Sequence, residues 1–214
     1  DGTRIAFQRN ITAHPDIYVM NADGSMQTNI TNHAASDYSP AWSPDGTRIA
    51  FASNRGGGAL QIWVMNADGT NPVKLTNTPQ LNSHPDWSPD GNQITFESMQ
   101  AGQREIYKMN SDGTGQTRLT TTGGNYGPVW SPNGNKIAFS TSNGIWVMNP
   151  DGSGLVQLTN IFDLHPAWSP DGTKIAFDSA ARTGNFDVWV MNADGSSLQQ
   201  ITNSSQMDAN PSWR

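Results

Sequence analysis

The stretch PAWSPDGTRIAF, Pro40–Phe51, decides how this chain folds. It reads as a strand ending in Trp, a tight turn, and a second strand opening at Ile. In SPDG the proline sits where a type I turn presets φ, and the glycine sits where the chain needs a positive φ. Ile49 and Phe51 lie two apart, so they share one sheet face. Working outward, W-S-P-[DN]-G returns with its Trp at 42, 87, 130 and 168, and Trp213 supplies a fifth Trp. I-[AT]-F returns at Ile5, Ile49, Ile94, Ile137 and Ile175. A third phrase, [IV]-[YW]-x-M-N, starts at Ile17, Ile62, Ile106, Ile145 and Val188. A fourth, [IL]-T, falls at Ile30, Leu75, Leu119, Leu158 and Ile201.

Five copies of one paragraph, opening near residues 1, 45, 90, 133 and 171, account for all 214 residues. Each phrase reads as a strand, rich in β-branched and aromatic residues and bounded by turn letters. NADG (21–24, 66–69, 192–195) turns the chain between the third and fourth strands. No window sustains apolar residues at helical spacing. Four antiparallel strands per 40–45-residue repeat predict a propeller blade, and hence one all-β, five-bladed domain over 1–214. We name the strands a (the Trp phrase), b, c and d. The chain opens with b and closes on a lone a, NPSWR (Asn210–Arg214). Ring closure then requires that last strand to pair with TRIAF (Thr3–Phe7), which would make Asp1 and Arg214 near neighbours and remove two exposed sheet edges.

Composition narrows the partners. Lys and Arg number 12 against 18 Asp and Glu, a net charge of −6 with no basic cluster, which argues against a nucleic-acid ligand. The chain has no cysteine, so neither a disulfide framework nor a thiolate metal site can form. No stretch approaches the roughly 18 apolar residues of a membrane span. Low charge and abundant Asn, Thr and Ser point to an exported bacterial protein, periplasmic or extracellular.

The string P-x-W-S-P-D-G-x-x-I-A-F followed by I-[YW]-V-M-N-x-D-G resembles the TolB-type β-propeller repeat across the whole chain. That resemblance implies a non-catalytic propeller whose partners include envelope proteins; the family's namesake has six blades, against five repeats here. In the wider class, the oligogalacturonate lyase propeller implies a metal held largely by His at the channel. Prolyl-oligopeptidase-type peptidases also carry similar propellers, but the G-x-S-x-G elbow of their hydrolase chemistry does not occur in this sequence.

The a–b and c–d turns are nearly the same in every repeat, whereas the b–c loops and d–a connections diverge. QRNITAHPD (8–16), ASNRGGGALQ (52–61), ESMQAGQRE (97–105), STSNG (140–144) and DSAARTGNFD (178–187) share little. Folding needs the shared letters, and a ligand can be read by the others. All four histidines, His14, His33, His84 and His165, fall in this divergent set. Just before each strand-a proline stand Ser39, His84, Gly127 and His165, with Asn210 before Pro211; they are expected to ring the mouth of the channel. With the loop aromatics Tyr38, Tyr126, Phe162 and Phe186, Ser39, His84, His165 and Asn210 form the candidate binding set.

Two residues earlier stand Asp37, Asn82, Asn125, Asp163 and Asp208. These either cap local backbone N–H groups or form a ring of oxygens for calcium or another divalent cation. The Trp of strand a and the Tyr or Trp of strand c recur in every blade, so they read as core rather than sugar platforms. The NADG turns lack the twelfth-position Glu of an EF-hand. The sequence therefore predicts a monomeric binding or scaffold module for a protein, peptide or glycan, requiring no cofactor. A metal-dependent lyase, and a strand-swapping or excised part of a longer propeller, are the alternatives.

Overall fold

A computed structural model describes residues 2–10 and 14–213. The expected contact between Asp1 and Arg214 lies outside the described residues. The chain is all-β, a five-bladed propeller fold of antiparallel sheets, with no helix among the described residues and none able to cross a membrane. The first sheet holds β1 (Arg4–Arg9), β2 (Asp16–Asn21) and β3 (Thr28–Asn29). The second holds β4 (Asp37–Trp42), β5 (Arg48–Ser53), β6 (Gln61–Asn66) and β7 (Val73–Lys74). The third runs through β8 (Asn82–Trp87), β9 (Gln93–Ser98), β10 (Glu105–Asn110) and β11 (Thr117–Arg118). The fourth runs through β12 (Asn125–Trp130), β13 (Ile137–Thr141), β14 (Gly144–Met148) and β15 (Val156–Gln157). The fifth comprises β16 (Asp163–Trp168), β17 (Lys174–Ser179), β18 (Asp187–Asn192) and β19 (Gln199–Gln200).

Two compact units divide the chain, Asp1–Arg118 with the first three sheets and Leu119–Arg214 with the last two. In the first unit, Ile17 and Val19 of one blade pack on Ile49, Phe51 and Met65 of the next. Phe96 and Trp87 pack on Ala50, Ile62 and Val64 in the same way. In the second unit Trp168, Ile175 and Phe177 pack on Ala138, Ile145 and Val147. Trp42, Trp87 and Trp168 of strand a are thus inter-blade core, as their recurrence predicts.

The fourth-phrase threonines are structural as well. The hydroxyls of Thr31, Thr76, Thr159 and Thr202 accept the backbone N–H of Ile17, Ile62, Ile145 and Val188 at 2.9–3.0 Å. Each stands in for a ladder bond where the two-residue strand d ends.

Among the described residues the first sheet holds three strands. β1 is bonded to β2 alone, and Asn210–Trp213 have no strand partner. Ile5 is 40% exposed, whereas Ile49, Ile94, Ile137 and Ile175 are 0%. Strand a pairs with a split register. In the other four blades it holds strand b through two short stretches on either side of a register shift. There the SPDG turn links the two strands covalently.

Candidate functional site

The register shift in strand a falls at the residues singled out before each proline. Ser39, His84, Gly127 and His165 have φ of 51°, 49°, 52° and 51°, and Asn210 has 56°. In the four blades where strand a is paired, this residue is the extra one of a β-bulge, which bends the strand and re-aims one side chain. A non-glycine residue in this left-handed region costs on the order of 1–2 kcal/mol. Glycine serves in one blade, yet Ser, His, His and Asn stand in the others. The backbone at this step is fixed, and its side chain is not.

Behind the bulge stands a second variable column, the residue after Phe on strand b: Ala52, Glu97, Ser140 and Asp178. All four are buried. In the first unit, Nδ1 of His84 lies 3.4 Å from Glu97 Oε2 and 3.3 Å from Ser83 Oγ. The guanidinium of Arg104 meets Glu97 Oε1. In the second unit, Nδ1 of His165 donates to Asp178 Oδ1 at 2.8 Å. The bulge amides reach back to the preceding column residue as well: His165 N–H donates to Ser140 Oγ at 3.1 Å, and Asn210 N–H donates to Asp178 Oδ1 at 2.9 Å. Both histidine rings are nearly half exposed while their carboxylate partners are fully buried.

The Asp/Asn set lies one step deeper. Asp37, Asn82, Asn125 and Asp163 are buried, and Asp208 is half-buried. Arg55 donates to Asp37 Oδ2 at 2.8 Å while lying over Phe51 and Trp63. Arg182 donates to Asp163 Oδ2 at 2.7 Å while lying over Phe177 and Trp189. Asn82 instead donates to Gln61, Thr78 and the carbonyl of Gln80. Asn125 donates to Thr122, and Asp208 accepts from Ser204. Backbone bonds from Asp37, Asn82 and Asp208 to the carbonyls of Pro15, Leu60 and Phe186 tie each strand a to the blade before it. Guanidinium groups thus hold an oxygen of both buried acids in the expected cation ring. Among the described residues no three His, Asp or Glu side chains gather as a metal site.

Of the aromatics, Tyr38 packs against the cluster of Phe96 and Trp87. Tyr126 and Phe186 are half-buried, and Phe162 is 44% exposed. His33 Nδ1 accepts its own loop's Ala35 N–H, a local turn contact.

The model of the TolB beta propeller domain family matches residues 1–60 and 57–165. The chain belongs to that family. Over 42 residues it is 48% identical to dipeptidyl-peptidase 5 of Porphyromonas gingivalis, which covers 20% of this chain and 6% of that protein. Over 56 residues it is 41% identical to the Protein TolB homolog of Chlorobaculum tepidum, covering 26% of this chain and 13% of that protein. TolB from Acinetobacter baumannii has the same fold at a TM-score of 0.86 and 24% identity, over 97% of this chain and 54% of that one. Oligogalacturonate lyase from Vibrio parahaemolyticus aligns at a TM-score of 0.69 and 13% identity, over 98% of this chain and 66% of that one. The two structural likenesses are of fold alone. The chain spans only a small part of the curated relatives and about half of the Acinetobacter TolB.

Within this TolB-type frame, sequence reading missed Glu97 and Asp178, and with them Arg55, Arg104 and Arg182. A signal for the acids was present. A charged residue directly after the invariant Phe of I-[AT]-F marks a buried carboxylate that must find a partner. The arginines sit at different offsets within b–c loops of different length, so no column reveals them.

Proposed function

We propose that this chain is a non-catalytic binding module of the bacterial envelope, reading a segment of a protein partner through the b–c and d–a loop end of its blades. The observation that supports it is the bulge. One strained backbone step recurs in every blade, glycine suits it, and polar side chains nonetheless occupy it in four of five copies. Strain kept where a strain-free residue is at hand is characteristic of functional positions. The opposite end, built from SPDG- and NADG-type turns, repeats nearly the same local bonds in blade after blade.

Replacing Ser39, His84 and His165 together by glycine tests this. The triple variant keeps the bulge and relieves the left-handed strain, so its melting temperature should hold or rise. Peptides selected from a display library on the wild-type protein should lose binding to it, while Asn66→Ala, Asn149→Ala and Asn192→Ala on the opposite end should leave binding intact. Undiminished binding by the triple variant sinks the assignment. Glycans selected in place of peptides would change the ligand class. Release of unsaturated products from oligogalacturonides with a stoichiometric metal would establish the lyase instead.

A further inference from the structure

The two strand-b acids are balanced differently. Glu97 in the first unit is met by Arg104 as well as His84. Asp178 in the second unit is met by His165 and by the Asn210 amide, and its second oxygen, Oδ2, is buried with no donor. A carboxylate taken fully out of water with half of its acceptor capacity unused is costly unless positive charge comes near. No described lysine or second arginine stands at this end of the second unit. Its acids are Asp163, Asp178, Asp187 and Asp208, and its described basic residue, Arg182, is committed to Asp163. Asp187 receives neutral donors from Thr183 and Gln200 on Oδ2, and its Oδ1 is likewise buried without a donor, which adds to the uncompensated negative charge of this end.

His165 is the way in. Its Nδ1–H is held by Asp178, which fixes the tautomer and orientation of the ring, as a carboxylate behind a histidine does in metal and catalytic sites. Nε2 has no partner among the described residues, and the ring is 40% exposed. In the neutral ring this nitrogen is a lone-pair acceptor, with the Asp178 carboxylate behind the ring. The left-handed bulge holds it there, since the backbone N–H of His165 is itself anchored on Ser140.

We propose that this end of the second unit is a subsite for a basic side chain, a lysine or arginine of the partner segment, received by His165 Nε2 with the Asp178 carboxylate behind it. Asp178 is a positioning residue and the charge of the site, and His165 makes the contact. Exposed Phe162, on the connection leading into the same strand, offers apolar surface for the long methylene stem of such a residue. The inference rests on the binding reading above and names what this part of the loop end reads.

The test uses blocked tripeptides Gly-Lys-Gly and Gly-Arg-Gly, with the norleucine and glutamate counterparts as controls, titrated into the full chain at a pH where His165 is neutral. Side-chain nitrogen and proton shifts of His165 are followed by NMR. The basic peptides should move the His165 signals saturably and bind about tenfold better than the norleucine peptide, the scale of one charged contact. Asp178→Asn should erase that preference. Should this variant fold poorly, His165→Gly must erase it too, and Asp208→Asn must weaken it. In the wild type, His165 must also carry its proton on Nδ1. Equal binding of lysine and norleucine peptides, an Nε2–H tautomer, or a preference that survives Asp178→Asn overturns the subsite. If control peptides move loop signals and basic ones do not, the subsite falls while the binding face stands. If no peptide moves any loop signal, both fall.

Discussion

Gly113 of the third blade stands against the backbone of Leu75 in the second, where a Cβ on the glycine would lie 2.8 Å from the Leu75 carbonyl oxygen. The relation repeats along the chain. Gly69 faces Ile30, Gly152 faces Leu119 at 2.7 Å and Gly195 faces Leu158 at 3.0 Å. From the second blade to the fifth, each NADG-type turn therefore ends on the fourth phrase of the preceding blade, so its glycine answers two demands, a positive φ and close approach. The b–c loop residue Gly102 has a similar φ, 82° against 89°, but open space around it. Gly102→Ala should cost about 1 kcal/mol for the left-handed backbone, and Gly113→Ala about 2–4 kcal/mol once the clash is added. Urea unfolding of the two variants measures the difference, and equal losses would mean the blades do not meet at this turn.

The exposure of Ile5 makes a matched pair with Ile94, its counterpart two blades on. Ile94→Ala removes a fully buried side chain and should cost about 2–5 kcal/mol. Ile5→Ala should cost about 1 kcal/mol or less, as substitutions at exposed sites do. Chemical denaturation reads both. Equal costs would show that a strand covers β1 in solution, as the repeat pattern alone predicts.

The SPDG aspartates make the fold sensitive to acid. A bond from the Ser43 hydroxyl, then the Thr47 N–H, lowers the Asp45 carboxyl to about 2 from its usual 3.8. Ser169 and then Thr173 do the same for Asp171, again to about 2. A pKa depressed by folding contributes stability that is complete above the unfolded value and disappears as pH falls through the folded one. Melting temperature should therefore hold down to about pH 4 and decline towards about pH 2. The fourth blade uses Asn133 in this position, where its amide oxygen accepts from Ser131 without titrating. Asp45→Asn should lower the melting temperature at neutral pH and make no difference near pH 2. A deficit of the same size at both pH values would refute the assignment to Asp45.

Blade number, strand order and the inter-blade role of the tryptophans were legible in the sequence because the same physical demand recurs in every copy. Repetition makes such demands visible: a turn glycine, an inward Phe, a strand-ending Thr. The bulge was half legible. The column Ser39, His84, Gly127, His165 and Asn210 could be picked out by its variability, but its left-handed backbone could not, because only Gly127 advertises a positive φ. Least legible was the ionic layer. Arg55 follows Phe51 by four residues and Arg182 follows Phe177 by five, and which buried acid each one reaches is settled in three dimensions.

The Arg182–Asp163 pair tests whether the expected cation ring is structural. Asp163 is fully buried, and its Oδ1 finds no donor, so the guanidinium on Oδ2 is its main compensation. Arg182→Met leaves a buried charge unpaired and should cost about 3–5 kcal/mol. Nature supplies the remedy in the third blade, where Asn82 holds the same place with neutral partners. Adding Asp163→Asn to Arg182→Met should therefore recover most of the loss, giving a coupling of about 1–3 kcal/mol in a double-mutant cycle. Calcium offers the opposing outcome. If Asp163 holds a cation through the oxygen left by the arginine, millimolar calcium will rescue Arg182→Met but not the double variant. Rescue of that kind would return the ring to metal binding, and its absence, with recovery by Asp163→Asn, assigns these acids to the framework.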